Sequence, residues 1–239
     1  MKTRIPDFYR GQDPREMPAY TIAEAAHYLQ IPFPTLRSWV VGRAYPVKAG
    51  RKYFQPVIVL PERGSRLLSF VNVVEAHVLD AIRRKYKVPL QKVRIGVSYL
   101  QRHFGSKHPL AEEKMKTNGR DLFVRRFGQL INVSQDGQLA ILELVDAHLR
   151  RIEWDTSGLA VRLYPFTRKR ELEEPKSIVM DPYIAFGRPT LVGTGIPTAV
   201  IADRCKAGES IEQLADDYGR APEEILDAIR CELQLAEAA

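Results

Sequence analysis

Thr21–Trp39 reads TIAEAAHYLQIPFPTLRSW. Thr21 can cap a helix, and Glu24 stands three residues on, the spacing of a capping box. Ile22, Ala25, Ala26 and Leu29 then recur at helical spacing and define one apolar face. Pro32 and Pro34 end that pattern. Thr35 opens a second helix in which Arg37 stands between Leu36 and Trp39. Two short helices joined by a tight turn are what a major-groove reader needs, although other all-helical proteins contain such pairs too.

After Trp39 the chain runs VVGRAYPVKAGRKYFQPVIVLP, whose glycines, prolines and β-branched residues suit a short hairpin. Gly50-Arg51-Lys52-Tyr53 falls near its tip or on its return strand. A basic hairpin directly after two such helices is a wing, a second element for contacting phosphates. Residues 69–86 form an amphipathic helix with Val73, Val74, Val78, Leu79 and Ile82 on one side, and Arg83, Arg84 and Lys85 in its last turn. Pro89 opens another helix, striped by Leu90, Val93, Val97 and Leu100. His77, His103 and His108 show no metal-ligand spacing and read as ordinary helical or surface residues. Ahead of Thr21, residues 1–18 read as a flexible arm with Pro6, Pro14 and Pro18. Arg4, Arg10 and Arg15 lie on it.

At 239 residues, with 45% hydrophobic and 27% charged residues, the chain has room for two small domains of a soluble globular protein. No apolar run approaches the roughly 18 residues of a membrane span, and the N-terminus lacks the apolar region of a signal peptide. Cys205 and Cys231 suggest neither a disulfide framework nor a metal site, so a cytoplasmic protein is expected. The net charge of +7 is unevenly spread. Met1–Arg120 holds 22 Lys/Arg against 9 Asp/Glu, and Asp121–Ala239 holds 14 against 20. A basic half preceding an acidic half implies two partners, with nucleic acid the obvious polyanion for the first. Two solvated surfaces of unequal charge would look the same.

In the middle, residues 107–120 read as a polar linker or loop. Leu122–Phe127 and Gln129–Val133 read as short strands, and Asp136-Gly137 as a hairpin signal. A helix over Ile141–Ile152 and a strand over Gly158–Phe166 complete a small α/β element at 121–166. Residues 168–174 form a charged connector. Beyond it, Pro182–Pro197 is too rich in Gly and Pro for a helix. Three helices come next: one over Thr198–Lys206, one capped by Ser210 with Gln213 and stopped at Gly219, and one opened by Pro222. Gly187, Gly193 and Gly195 match neither phosphate-loop spacing nor a dinucleotide fingerprint, and read as shaping an extended segment. Asp216, Asp217, Glu223 and Glu224 sit at helix ends and do not suggest catalysis. No catalytic residues, metal ligands or cofactor are expected.

The run T-I-A-E-A-A-x-x-L-x-I-x-x-x-T-L-R-x-W, then Arg51-Lys52-Tyr53 and a long helix, resembles the MerR-type winged helix-turn-helix domain over roughly residues 19–106. That resemblance implies binding of double-stranded DNA as a homodimer. Thr35, Arg37 and Ser38 would lie in or beside the major groove, and Arg43, Lys48, Arg51 and Lys52 on phosphates. No counterpart of that family's effector-sensing module is present. Separately, G-R-P-T-L-V-G-T-G-I-P (Gly187–Pro197) and then G-E-S-I-E-Q-L-A resemble a domain of unknown function typical of antitoxins encoded beside PIN-domain ribonucleases. This domain is expected over residues 178–239, with Gly195 where that family usually carries Arg. Together the two ends look like a VapB-type antitoxin. The implied activities are binding an operator and neutralising a PIN-domain ribonuclease toxin, whose metal-holding carboxylates could be met by Arg188, Arg220 or Arg230. The alternative is a stand-alone dimeric regulator whose C-terminal domain only dimerises. The expected fold is mostly α with small β elements: a winged helix-turn-helix, a mixed α/β middle and a three-helix C-terminal domain.

Overall fold

Thr21 does two jobs in the computed structural model, which describes residues 9, 11–47, 50–62, 64–86, 90–131, 135–168 and 174–233. It ends a short strand, β1 (Tyr20–Thr21), that pairs antiparallel with β4 (Leu67–Leu68), and it caps α1 (Ile22–Tyr28). Its hydroxyl accepts from the Glu24 amide at 3.1 Å, while the Glu24 carboxylate accepts from the Thr21 amide at 2.8 Å, so the box is closed on both sides. The turn to α2 (Phe33–Val40) holds Gln30 at φ 53°, and the Gln30 side-chain amide donates to the Phe166 carbonyl at 2.7 Å. β2 (Arg43–Val47) and β3 (Gly50–Phe54) form the hairpin, in register from Arg43 opposite Phe54 to Val47 opposite Gly50. Lys48, expected among the phosphate contacts, lies outside the described residues.

The helix after the wing, α3 (Phe70–Tyr86), is not the one-sided amphipathic helix that its valines suggest. From Phe70 to Ala81 it is buried on every side, carrying Asn72, Glu75, His77 and Asp80 into the core with it. Buried polar groups must find partners. Asn72 donates to the Val59 carbonyl and to Glu75, both at 3.1 Å. The His77 ring lies 3.1 Å from the His148 carbonyl oxygen and stacks on Phe166. His108 meets Glu75 at 3.2 Å. Thus His77 and His108 are not ordinary surface residues: they join α3 to its surroundings.

Those surroundings are the middle of the chain, where the expectations from sequence need their largest correction. Residues 107–120 are no linker, since Leu110, Ala111 and Met115 are fully buried and Glu113 donates to the Gly158 carbonyl at 2.8 Å. The strands expected over Leu122–Phe127 and from Gln129 are instead helix α5 (Arg120–Ile131), and the expected hairpin signal lies in α6 (Gln135–Leu149), both placed after α4 (Leu90–Phe104) and a π-helical turn at Met115–Gly119; residues 132–134 lie outside the described residues. Phe123 and Val124 are buried while Arg125 and Arg126 are exposed, the rhythm of a helix rather than of a strand. Arg120 and Asp146 clamp α5 to α6 at 2.5 Å. Asp136-Gly137 falls in the first turn of α6. α6 packs on α3, and β5 (Ile152–Trp154) pairs with β6 (Ala160–Leu163) to close the element.

The C-terminal region keeps the expected order: β7 (Ile178–Val179) paired with β8 (Thr190–Leu191), then α7 (Thr198–Lys206), α8 (Ile211–Tyr218) and α9 (Pro222–Leu233). Ser210 and Gln213 close a second capping box, and Gly219 stops α8 at φ 60°. This region is continuous with the middle. Leu163 and Met180 exchange amide hydrogen bonds at 3.0 and 2.8 Å, and the buried Arg151 guanidinium donates to the carbonyls of Tyr164, Pro165, Glu174 and Pro175. One contiguous apolar core runs from Tyr20 to Cys231.

The described part of the expected arm is also docked. Arg15 is 8% exposed, pairs with Asp13 and Asp155 at 2.7 Å, and its carbonyl accepts from Val71. Arg15 is therefore not available to a nucleic-acid backbone.

The two ends of the chain meet at Gly187, whose carbonyl accepts from the buried Tyr20 hydroxyl at 2.8 Å. A Cβ at Gly187 would stand 2.1 Å from that hydroxyl, and its φ of 79° disfavours any side chain. Gly187→Ala is expected to lose about 1–2 kcal/mol from backbone conformation alone and more from the clash. Tyr20→Phe, which only orphans a carbonyl, should cost about 1–3 kcal/mol. Urea denaturation of the two variants checks the ordering.

Candidate nucleic-acid interface

The second helix of the pair is held by its own apolar side. Leu36 and Trp39 are fully buried, and the Trp39 carbonyl accepts from Val57 at 2.8 Å and Ile58 at 3.1 Å. The chain leaving the wing is thereby hooked beneath α2. With Leu36 and Trp39 inward, helical geometry turns Arg37 outward, and it is exposed. Its neighbours differ. Thr35 and Ser38 are half-buried, and the Ser38 hydroxyl already donates to the Thr35 carbonyl at 2.7 Å.

The wing lies directly after α2. Arg43 and Arg51 are both exposed. The register puts Arg43 across from Phe54 and Arg51 across from Pro46, so these two arginines fall on opposite faces of the ribbon. Lys52 stands across from Tyr45. Tyr45 and Phe54 stack at 4.2 Å, and the Tyr53 hydroxyl donates to the Val41 carbonyl at the base of α2. These contacts stiffen the hairpin and set its angle to the helix.

Nothing in the sequence pattern singles out Phe33, one apolar residue between two prolines. In the fold it is the first residue of α2 and is 47% exposed. Its position is the usable signal: α2 needs only Leu36, Trp39 and Val40 for its buried side, which leaves Phe33 without a role in the core.

At the other end of the chain, each of the three arginines expected to meet a toxin is engaged by a carboxylate of its own chain. Arg220 pairs with Glu224 at 2.5 Å, and Arg230 with the fully buried Asp227 at 3.3 Å. Asp227 also receives Arg168 at 3.0 Å and the Ser177 hydroxyl at 2.9 Å. Arg188 is partly exposed. It turns back onto Glu24, the acid of the first capping box. Burial opposes the charge on Glu24, but hydrogen bonds from Thr21 and Arg188 outweigh it and hold the carboxyl below its usual range. Among the described residues no group of three or more His, Cys, Asp or Glu could hold a metal ion, and no helix is long and apolar enough to cross a membrane.

Two segments of the chain match known family models. Residues 18–97 match a family model described as "Putative DNA-binding HTH domain", and residues 178–230 match a protein family of unknown function, DUF433. The chain is 32% identical over 233 residues to a Mycobacterium tuberculosis protein named "Putative antitoxin VapB45", covering 90% of this chain and 93% of that one. It is 28% identical to the uncharacterized protein Rv2308 of the same organism, covering 88% of each. The crystal structure of Rv2018, also from Mycobacterium tuberculosis, superposes with a TM-score of 0.64 at 27% identity, covering 90% of this chain and 98% of that one.

The Glu24 site separates two contributions. Glu24→Gln keeps a side chain able to close the box but discharges the pair with Arg188. With both partners partly exposed, that loss is expected to stay below about 1 kcal/mol. Glu24→Ala also opens the box and should cost about 1 kcal/mol more. Because folding lowers the Glu24 pKa, its contribution is present above the ordinary carboxylate range and disappears as pH falls through the lowered value. Thermal melts of wild type and Glu24→Gln should therefore converge on acidification.

Proposed function

This chain belongs to the family of VapB45-like antitoxins, and from that premise we propose that it binds operator DNA at one end and a protein toxin at the other. In this reading α2 enters the major groove of duplex DNA, Arg37 reads a base edge with Thr35 and Ser38 beside it, and Arg43, Lys48, Arg51 and Lys52 neutralise phosphates. The observation that carries it is the anchoring of α2: Leu36 and Trp39 are fully buried while Arg37, between them in sequence, faces solvent next to a cationic hairpin. The operator lies over the chain's own gene pair. Two copies bind as a homodimer, because one winged module contacts only half of a two-fold operator.

The partner at the acidic end is a PIN-domain ribonuclease toxin, and the chain itself performs no catalysis. Arg188, Arg220 and Arg230 meet the toxin's metal-holding carboxylates by exchanging their own acids for those of the partner. Arg188 is the foremost of the three, since its side chain is 41% exposed and its present partner, Glu24, is itself partly solvated. The exchange then costs little, whereas freeing Arg230 would strip a fully buried Asp227 of one of its cations.

Arg37→Ala should weaken specific binding by about 1–3 kcal/mol if it reads a base edge. Arg51→Ala should instead weaken all duplexes alike and reduce the salt slope by about 0.9. Titrations at several salt concentrations read both. If each variant binds as wild type does, DNA is not held here. For the toxin, co-expression with the neighbouring reading frame should yield a complex in which ribonuclease activity is suppressed. Absence of both association and inhibition would reject the antitoxin reading and leave a stand-alone regulator.

A further inference from the structure

The leading end of α2 has an unusual chemistry for an element that approaches a polyanion. Helix N-termini ordinarily offer free amides to phosphate. Here Pro32 and Pro34 have no amide hydrogen, and the Thr35 amide already donates to the Pro32 carbonyl at 2.8 Å. Only the Phe33 amide remains of the first four. This end is therefore poorly equipped to clamp a phosphate. It presents apolar surface instead: Pro32, Phe33 and Pro34 are all exposed, with Phe33 at 47%.

Phe33 stands four residues before Arg37, so the two are neighbours along one exposed helix face. Exposed arginines at positions 43 and 51 lie on the adjacent hairpin. A duplex drawn by these charges brings its major-groove floor to that face. The apolar group on that floor is the C5 methyl of thymine.

We infer that Phe33 is a specificity-determining residue that packs on a thymine methyl in the major groove, one or two base pairs from the base read by Arg37. The spacing comes from helix and duplex geometry. Four residues advance about 6 Å along a helix, and base pairs rise about 3.4 Å. This inference rests on the DNA-binding reading of α2 and adds a base to it.

The test uses the full-length protein and the tightest-binding duplex recovered from a randomised double-stranded library. Each thymine in turn is replaced by deoxyuridine, which keeps every hydrogen-bonding group and removes only the methyl. Wild type should lose about four-fold in affinity at one position per half-site, the worth of one buried methyl. Phe33→Ala should bind the thymine and deoxyuridine duplexes equally, while Arg37→Ala should retain the methyl discrimination. Circular dichroism melts confirm that Phe33→Ala, altered at an exposed position, is folded. Equal binding of both duplexes by wild type at every position overturns the inference, as does methyl discrimination that survives in Phe33→Ala. In either case sequence-selective binding itself stands. Failure to recover any enriched duplex overturns both the inference and the DNA-binding reading beneath it.

Discussion

Burial of α3 on every side from Phe70 to Ala81 is the constraint on which the rest of the structure depends. A helix with Asn72, Glu75, His77 and Asp80 among its residues can be enclosed only if those groups find partners. They come from separate parts of the chain: Val59 after the wing, His108 in the segment before α5, and His148 at the end of α6. The helix after the DNA-binding unit is thereby the shared core of the N-terminal and middle regions. Their relative placement is dictated by polar satisfaction as much as by apolar area.

The same economy governs the seam between the two ends. Tyr20, immediately before the first helix, donates to Gly187, and Glu24 of its capping box pairs with Arg188. Gln30, in the turn between the two helices, donates to Phe166. Each contact uses a residue that also shapes the helix-turn-helix locally. The orientation of α1 is therefore not independent of the C-terminal segment 178–191. A partner that competed for Arg188 would act on a residue one contact removed from the DNA-reading unit. These contacts join segments that lie far apart in sequence.

Around α2 and the hairpin, rigidity comes from apolar anchors that leave Arg37, Arg43 and Arg51 exposed. Trp39 and Leu36 hold α2, the Tyr45–Phe54 stack holds the hairpin, and Tyr53 ties the hairpin to the end of α2. Arg43 and Arg51 stand on opposite faces of the hairpin, so a surface laid flat against either face would meet only one of them.

By itself the sequence determined the elements whose signals are local. Both capping boxes, Thr21–Glu24 and Ser210–Gln213, the stop at Gly219, the basic hairpin and the three C-terminal helices are written in adjacent residues, because caps and turns are satisfied within a few positions. Arg37 was legible as the outward residue between two inward ones for the same reason. Tertiary structure decided the remainder. Residues 122–131 and 135–137 carry apolar runs too short to separate strand from helix, and packing against the neighbouring helices resolved them as parts of α5 and α6. Arg15, His77 and Arg188 look like free polar residues in sequence. Each is instead held by a group far along the chain, at Asp155, His148 and Glu24 respectively. Local chemistry selects secondary structure, but the partner of a charge is chosen only when distant segments share one core.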